Sequence, residues 1–340
     1  MAGRALPLIA PQLRSLRRTL LRWYDQHRRD LPWRRDKDPY RVWVSEIMLQ
    51  QTRVAAVLDH YARFTKRFPT VHTLAAAREA SVLAAWSGLG YYHRARRMHQ
   101  AAKMIVRHRQ GNSPLTAEEW SELPGIGRYT AAAIASIAFG EPVAVVDGNV
   151  ERVLQRLTGA TQGREAAWQE AQALLDRKRP GDFNQAMMEL GATICTPRAP
   201  QCLLCPVNSL CKTRGAEERR PIQSRKNKQL SYALARNNGS VLLVRRASDA
   251  SLMAGMWELP VLSAPDVNGD APVLRLRHSI TGTDYRVAVF AVAPDQLPST
   301  ENGSRWFNAS QCERLPLTGL TRKILRHLAL ASTAAASVSK

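Results

Sequence analysis

The sequence has few cysteines, a shortage of acidic residues and no long apolar segment. Its 340 residues include 5 Cys, and 28 Asp and Glu stand against 49 Lys and Arg, which gives a formal net charge of +21. No apolar run approaches the ~18 residues that a membrane-spanning helix needs, and the N-terminus lacks a clear secretion signal. We therefore expect a cytoplasmic protein without membrane contact. The positive charge favours a polyanionic partner, nucleic acid above all, over the alternative of a merely basic protein.

Four of the five cysteines lie within 17 residues, at Cys195, Cys202, Cys205 and Cys211. In a reducing cytosol this clustering favours a metal site over disulfides. Zinc usually takes two closely spaced pairs of ligands, and the first gap of six residues fits that pattern poorly. Four thiolates around an iron–sulfur cluster fit better, with zinc and disulfides as the alternatives.

The hydrophobic pattern changes from helical to strand-like periodicity near residue 225. Ahead of it, apolar residues recur at helical spacing, as in the basic segment 12–29. Beyond it, Asn237-Asn238-Gly239 separates two short apolar runs, which predicts a β-hairpin. The predicted organisation is a mainly α domain over 1–225, a linker at 226–230, an α+β domain over 231–330 and a disordered tail over 331–340. Within the α+β domain we expect strands near 273–276 and 285–293 and a helix over 319–329.

A glycine-rich turn precedes a predicted helix over 128–139. Gly125 and Gly127 lack a Cβ atom, so their backbone can approach a ligand closely. The free N–H groups at the start of the helix form an anion site, for which phosphate is the natural ligand. An ordinary helix–turn–helix corner would show the same pattern. Asp147 begins the next predicted helix, either as an N-cap only or as a catalytic anion.

Glu46 is the second candidate acid. It lies in a helix predicted to begin after Asp38-Pro39 and to run over 40–58. Its neighbours at i−4, i+3 and i+4 are two apolar residues and a glutamine. A carboxyl group in such surroundings can keep its proton near neutral pH, as a general acid requires. A solvated helix carboxylate is the alternative.

Tyr91 and Tyr92 follow a turn that contains Gly88 and Gly90. Arginines come directly after them along the chain. Aromatic rings beside basic residues suit stacking on bases together with phosphate contact. Two core tyrosines at a turn are the alternative.

Six segments in order resemble the MutY-type adenine DNA glycosylases, a family of the helix-hairpin-helix (endonuclease III-like) superfamily. They are Leu31-Pro-Trp-Arg, Trp43-Val-Ser-Glu-Ile-Met-Leu-Gln-Gln-Thr, Gly88-Leu-Gly-Tyr-Tyr, Leu123-Pro-Gly-Ile-Gly-Arg-Tyr-Thr-Ala, Val146-Asp-Gly-Asn-Val and the four-cysteine loop. Residues 231–327 are similar to the family's Nudix-like C-terminal domain, with Gly255-Met-Trp-Glu-Leu-Pro as the anchor. The resemblance implies a helix-hairpin-helix at about 119–138, an iron–sulfur loop over 195–211 and a C-terminal α+β Nudix-like domain.

The resemblance also implies an activity. The enzyme would remove adenine mispaired with 8-oxoguanine or guanine from double-stranded DNA, as a monomer with a [4Fe-4S] cluster on the four cysteines, in the bacterial cytoplasm at the nucleoid. The target base has to leave the stack for this chemistry. Glu46 would protonate the adenine, and Asp147 would stabilise the positive charge that develops on the sugar. Tyr129 and Asn149 would support Asp147.

The same resemblance assigns DNA-binding residues. They are Leu31, Trp33, Arg34 and Gln185 in the adenine pocket, Gln51 and Tyr91 in the opened duplex, Gly125 and Gly127 at a phosphate, and His278, Ser279, Ile280 and Thr281 in the loop that reads the lesion. The family's Phe-Ser-His in that loop is replaced by Ile280-Thr281-Gly282, so adenine removal is more firmly implied than the preference for 8-oxoguanine. No Nudix box of glutamates follows Gly255, so we expect no nucleotide hydrolysis.

Tyr129 separates two branches of the superfamily. Bifunctional relatives of the endonuclease III type carry Lys at this position of the hairpin, as a Schiff-base nucleophile. The tyrosine therefore predicts a monofunctional glycosylase without a strong lyase step. A bifunctional pyrimidine-lesion glycosylase and a non-catalytic DNA-binding protein are the alternative functions.

Overall fold

The computed structural model describes residues 9–160, 163–214, 225–247, 249–250, 253–262, 271–280, 282–297 and 303–336. Their contacts divide the chain into two compact units. The first comprises residues 9–75 with 100–214, and the second comprises 76–99 with 225–336. The association of 76–99 with the C-terminal part has no signal in the sequence. The predicted limits of 1–225 and 231–330 stay predictions.

The first unit is helical. Its helices, including two that cross its boundary, are α1 Ala10–His27, α2 Pro39–Leu49, α3 Val54–Arg67, α4 Val71–Ala76, α6 His93–Arg109, α7 Ala117–Ser121, α8 Arg128–Phe139, α9 Gly148–Thr158, α10 Arg164–Leu174 and α11 Pro180–Thr193, with α5 Glu79–Trp86 in the second unit. Short 3₁₀ helices form at Pro32–Arg34, Cys202–Leu204 and Asn208–Leu210. Within the described residues, no helix has both the length and the apolar character needed to cross a membrane.

Helix α8 lies at the centre of this unit and contacts α2, α7 and α11. Its alanines are buried, and small side chains let neighbouring helices approach closely. A Cβ atom on Gly181 of α11 would lie 2.5 Å from the carbonyl oxygen of Ser136 in α8. The α7–turn–α8 segment is the helix-hairpin-helix that the sequence predicts.

The second unit is an α+β domain with two sheets among its described residues. Its strands and C-terminal helices are β1 Lys226–Leu234, β2 Arg236–Asn237, β3 Ser240–Arg245, β4 Trp257–Glu258, β5 Val261–Leu262, β6 Leu274–Ile280, β7 Thr283–Ala291, β8 Ser304–Asn308, α12 Ala309–Arg314 and α13 Gly319–Ala336. One sheet has the order β5-β1-β7-β6, and in the other β2, β4 and β8 each pair with β3. Leu243, Val289 and Ile324 are completely buried in the core of this unit. The predicted fold class, mainly α with a C-terminal α+β domain, is confirmed.

The helix predicted over 40–58 is wrong as a single element. It is two helices, α2 and α3, and Gln51 between them has a left-handed φ of 55°. The helical spacing of apolar residues continues across the break, so the sequence pattern does not indicate where α2 ends and α3 begins.

The linker predicted at 226–230 is also wrong. These residues form the first half of β1, which pairs in parallel with β7 along its whole length. Their exposed polar side chains resemble those of a linker, while the backbone hydrogen bonds come from a strand far along the chain. The hairpin at Asn238-Gly239 is present, but it joins β2 to β3. Helix α13 extends to Ala336, into the predicted tail, where alanine favours helix.

Candidate active site

A cavity of about 510 Å³ opens among the helices of the first unit. Side chains from α2, α8, α9, α11 and the 3₁₀ helix at Pro32–Arg34 line it. Nine predicted site residues are brought together there: Leu31, Trp33, Arg34, Glu46, Gln51, Tyr129, Asp147, Asn149 and Gln185. These residues span more than 150 positions of sequence, so only the packing of the helices assembles them.

Glu46 is a buried carboxyl group at the wall of this cavity. Helix α2 that carries it begins at the N-cap Asp38, whose side chain accepts a hydrogen bond from the N–H of Arg41. Only 6% of Glu46 is exposed. Burial, with a further contribution from the charge of Asp147, raises the pKa of Glu46 to about 7, against the lowering effect of a hydrogen bond from Tyr129. Glu46 is therefore partly protonated at neutral pH.

Tyr129 holds the Glu46 carboxyl group in place. Its hydroxyl donates a hydrogen bond to Oε2 of Glu46 over 2.9 Å and lies 3.1 Å from Sδ of Met188. Burial, and then the charge of Glu46, keep the pKa of Tyr129 well above its ordinary value. The phenol is neutral, so it orients the carboxyl group as a donor.

Asp147 is the N-cap of α9. Its Oδ1 accepts hydrogen bonds from the N–H groups of Asn149 and Val150, at 2.9 and 2.8 Å, and its Oδ2 accepts one from the Asn149 side chain at 2.9 Å. Asp147 is half-exposed and lines the cavity. The N-cap and catalytic interpretations are therefore compatible, because the cap fixes the carboxylate while leaving it open to the cavity.

Arg152 is a supporting residue that the sequence reasoning missed. Its Nη2 donates to the side-chain oxygen of Asn149 over 2.9 Å and to the carbonyl of Gly191 over 2.7 Å, and its Nε donates to the carbonyl of Cys195 over 2.8 Å. Arginine one turn after Asn149 on α9 was the available signal. It connects the first turn of α9 to the end of α11.

A second buried glutamate in the cavity wall was also missed. The Glu189 side chain is 1% exposed and accepts two hydrogen bonds of 2.6 and 2.7 Å from the Arg29 guanidinium, one of 3.2 Å from the Arg29 N–H and one of 2.9 Å from Arg34. Burial acts to raise the pKa of Glu189, but these two arginines lower it to about 2. Glu189 is therefore an anion that holds Arg34 in place, whereas Glu46 is partly protonated.

The hairpin glycines lie at the start of α8. Gly125 has a left-handed φ of 81°, and Gly127 is the N-cap. A Cβ atom on Gly127 would have no heavy atom within 4 Å. Ligand access to the first N–H groups of α8 is thus open, as a phosphate site requires, although neither glycine lines the cavity.

Tyr91 belongs to the second unit. It has a left-handed φ of 48° and is half-buried, with the guanidinium of buried Arg94 5.4 Å from its ring centre and 5.4 Å from that of Trp86. Tyr92 is 4% exposed and donates a hydrogen bond to the carbonyl of Leu317. The core interpretation therefore applies to Tyr92, and Tyr91 keeps an accessible ring.

The predicted lesion loop is described in part. His278 is half-buried at the end of β6, where burial and then Lys323 lower its pKa, so the ring is neutral at pH 7. Ser279 is exposed and donates a hydrogen bond of 2.6 Å to Asp284. Ile280 ends β6, and Thr281 lies outside the described residues.

The four clustered cysteines are free, half-buried thiols on a loop after α11. Nη1 of buried Arg156 lies 3.4 Å from Sγ of Cys195, and the Arg156 carbonyl lies 3.3 Å from Sγ of Cys211. Burial raises the pKa of the Cys205 thiol to about 11, against the lowering effect of a backbone hydrogen bond at Val207, and the other three cysteines raise it further. Among the described residues, no three His, Cys, Asp or Glu side chains are grouped closely enough to hold a single metal ion.

Comparisons with known proteins identify relatives of this chain. Residues 44–177 match the profile of the HhH-GPD superfamily base excision DNA repair proteins. The chain is 35% identical over 399 residues to a mouse adenine DNA glycosylase, covering 92% of this chain and 77% of the mouse protein. It is 50% identical over 218 residues to the human adenine DNA glycosylase, covering 60% of this chain. That match spans 40% of the human protein's length, and the match to the rat protein spans 41%.

Solved structures show the same fold. A thermostable thymine-DNA glycosylase is 29% identical with a TM-score of 0.57, covering 61% of this chain and 98% of its own. An endonuclease III trapped as a covalent DNA intermediate is 24% identical with a TM-score of 0.54, covering 62% and 98%. The helical unit therefore has an endonuclease III-like fold.

Proposed function

Because the chain belongs to the adenine DNA glycosylase family of HhH-GPD base excision repair proteins, we propose that it hydrolyses the N-glycosidic bond of adenine mispaired in double-stranded DNA. The observation that carries the proposal is the pair of carboxyl groups on one cavity, Glu46 and Asp147. Burial raises the pKa of Glu46 to about 7, while Asp147 faces the same space as a capped anion. Releasing a base from a sugar requires a group that protonates the base and an anion that stabilises the positive charge on the sugar.

In the proposed reaction the extruded adenine enters the cavity beside Glu46. Glu46 donates its proton to a ring nitrogen of the base. The bond between the base nitrogen and C1′ then breaks, and its electron pair leaves with the adenine. Asp147 stabilises the positive charge on the sugar, until a water molecule adds to C1′ and loses a proton.

The cavity walls support the choice of a flat purine. Leu31 and Trp33 are buried apolar side chains, while Arg34 and Gln185 bring donors and an acceptor. Glu189 fixes Arg34 by a hydrogen bond of 2.9 Å, so that guanidinium is held in advance of the base. Gln51 at the helix break and Tyr91 at the glycine turn would fill and wedge the opened duplex.

The proposed substrate is duplex DNA with adenine opposite 8-oxoguanine or guanine, bound by a monomer. His278, Ser279, Ile280 and Thr281 would read the opposite base. Gly282 offers no side chain where the family's loop carries His, so guanine should be accepted more readily than in relatives with the full motif. The cytoplasmic, nucleoid-associated location stays a prediction.

We also infer that Cys195, Cys202, Cys205 and Cys211 hold a [4Fe-4S] cluster. Four free, half-buried thiols on one loop fit its donor set. The cluster would take one thiolate ligand from each of the four cysteines. When bound, the cluster would crosslink the loop. The chain's own Arg156, Leu157 and Arg152 already bond this loop to α9.

The test is base release from four matched duplexes at one salt concentration: adenine opposite 8-oxoguanine, guanine and cytosine, and a pyrimidine lesion. We expect adenine release, fastest opposite 8-oxoguanine and without a strong strand-cleavage step, because Tyr129 replaces the nucleophilic lysine. Cleavage at the pyrimidine lesion would support the bifunctional alternative. Binding without any release would support the non-catalytic one.

Two variants test the assigned roles. Glu46→Gln should lose base release while keeping DNA affinity, because it keeps the shape of the side chain but has no proton to donate. Equal loss of release and affinity would make Glu46 a structural residue. Asp147→Asn should also lose release, and full activity of this variant would refute the mechanism.

A further inference from the structure

Two exposed arginines face each other across the β6–β7 hairpin. The register places Arg277 directly opposite Arg286, and both are exposed. Arg275 lies two residues earlier on β6, so it is on the same face of the sheet. Like charges directly opposite on neighbouring strands destabilise a sheet. A pair that works against the fold in this way is a candidate for binding an anion.

Neutralising groups do not explain the pair. Among the described residues, no ion pair joins a carboxylate to Arg275, Arg277 or Arg286. The acid in the adjoining cross-strand row is Asp284, which is bound by Arg225 at 2.9 Å and by the Ser279 hydroxyl at 2.6 Å. The charge of Asp284 is therefore already neutralised by Arg225, which follows along the sheet on the side away from Arg275.

The side chains that neighbour these arginines in the sheet are small or uncharged. Ala288 lies opposite Arg275, and Ser231 of β1 is its neighbour in the same row. Gln229 of β1 lies beside Arg286 and is exposed. Small and uncharged side chains leave room for a backbone to pass along the three guanidinium groups.

We propose that this arginine face, defined by Arg275, Arg277 and Arg286, binds the phosphodiester backbone of duplex DNA. The proposal rests on the proposed function for its choice of anion, because the same hairpin ends at the loop assigned to the opposite base. Arg277 lies three residues before Ile280, or about 10 Å along an antiparallel strand. Phosphates one or two nucleotides from the lesion are at that range. Arginine suits them because its planar fork binds two phosphate oxygens.

The experiment measures DNA affinity of the full chain against salt concentration for wild type, an Arg277→Gln/Arg286→Gln double variant and an Arg305→Gln control. Arg305 is an exposed strand arginine in the other sheet, on β8. The duplexes carry an uncleavable 2′-fluoro-adenosine opposite 8-oxoguanine or guanine. Each lost phosphate contact should weaken binding about eightfold at 0.1 M salt and lower the log–log salt slope by about 0.9.

The double variant should therefore lose about two units of slope, equally for both mispairs, since phosphate contacts carry no base information. Its melting temperature without DNA should rise, because the repulsion is gone. Affinity equal to that of the Arg305→Gln control, or a lower melting temperature, would overturn the proposal. If wild type releases no adenine but the slope still falls, the proposed function fails and the arginine face stands.

Discussion

Glu46 and Glu189 are chemically identical side chains in one cavity wall, but Glu46 is half protonated at pH 7 whereas Glu189 is ionised. Glu189 binds two arginines and has a pKa near 2, while Glu46 receives one hydrogen bond from a neutral phenol and has a pKa near 7. Burial disfavours the anion in both, and only paired cations reverse the effect. At the residue scale the environment therefore decides which glutamate can hold a proton at neutral pH.

The first prediction concerns the pH dependence of adenine release. If protonated Glu46 is the acid, the single-turnover rate should fall above pH 7 by about tenfold per unit, since its pKa is about 7. The measurement is a rate series from pH 5.5 to 9 with enzyme in excess, and DNA binding is checked at each pH. A rate that rises through pH 7 would mean that the ionised form acts, as a base.

The second prediction concerns stability. A carboxyl group whose folded pKa is raised destabilises the fold progressively as pH rises from its unfolded value of 4.5 to about 7. Glu46→Gln cannot ionise, so its stability relative to wild type should increase over that range, by on the order of 3 kcal/mol above pH 7. Thermal melts at pH 5 and pH 8 measure this, with Glu118→Gln on an exposed helix turn as the control. An equal shift at both pH values would contradict the buried, raised-pKa acid.

At the scale of elements, the position of Asp147 and Asn149 at the start of α9 depends on how closely α11 approaches α9. A Cβ atom on Gly191 would lie 2.7 Å from Cβ of Asn149 and 3.0 Å from its carbonyl oxygen. Asn149 in turn donates to Asp147 and accepts from Arg152. A glycine in α11 thus allows the first turn of α9 to occupy its position.

The third prediction follows from this contact. Gly191→Ala should displace Asn149, slow adenine release by about 10- to 100-fold and weaken DNA binding far less. Gly163→Ala is the matched control, because an added Cβ there meets nothing within 4 Å and the backbone φ is −65°. Single-turnover rates and DNA affinity of both variants give the comparison. Normal release by Gly191→Ala would show that Asp147 does not need the Asn149 contact.

At the scale of the whole molecule, the four-cysteine loop brings the end of the helical unit's chain back to α9. The N–H of Lys212 donates to the carbonyl of Leu157 and that of Thr213 to the carbonyl of Arg156, both in α9. Arg152 joins the other end of the loop to the same helix. A cluster on this loop would therefore stabilise the helix that carries Asp147 at its start.

The fourth prediction tests the cluster. Cys202→Ala should lose most of the bound iron and the visible iron–sulfur absorbance, and should melt at a lower temperature, because four thiolates are needed to complete the site. Cys312→Ala is the control: this thiol is buried in the core of the second unit and is not one of the four clustered cysteines, so the iron content of the variant should match wild type. Stoichiometric zinc in place of iron would support the zinc alternative.

Sequence reasoning named nine of the 21 residues that line this cavity, and several of these lie in short local motifs. Asp38 and Asp147 cap helices through bonds to residues two or three positions away, and such bonds leave a recognisable local pattern. Arg152 was missed although one of its partners, Asn149, lies one turn earlier on α9. Glu189 was missed because its partners Arg29 and Arg34 lie far away along the chain. No spacing rule relates such positions.

The sequence by itself determined the division into helical and α+β parts, the starts of α2, α8 and α9, and the cysteine spacing, because local backbone preference and residue chemistry set all of these. Only the tertiary structure decided that Glu46 is half-protonated and Glu189 an anion, that the chain turns at Gln51, and that β1 pairs with distant β7. Burial, charge pairing and strand pairing are contacts between segments that folding brings together. Their energies therefore appear only once the chain has packed.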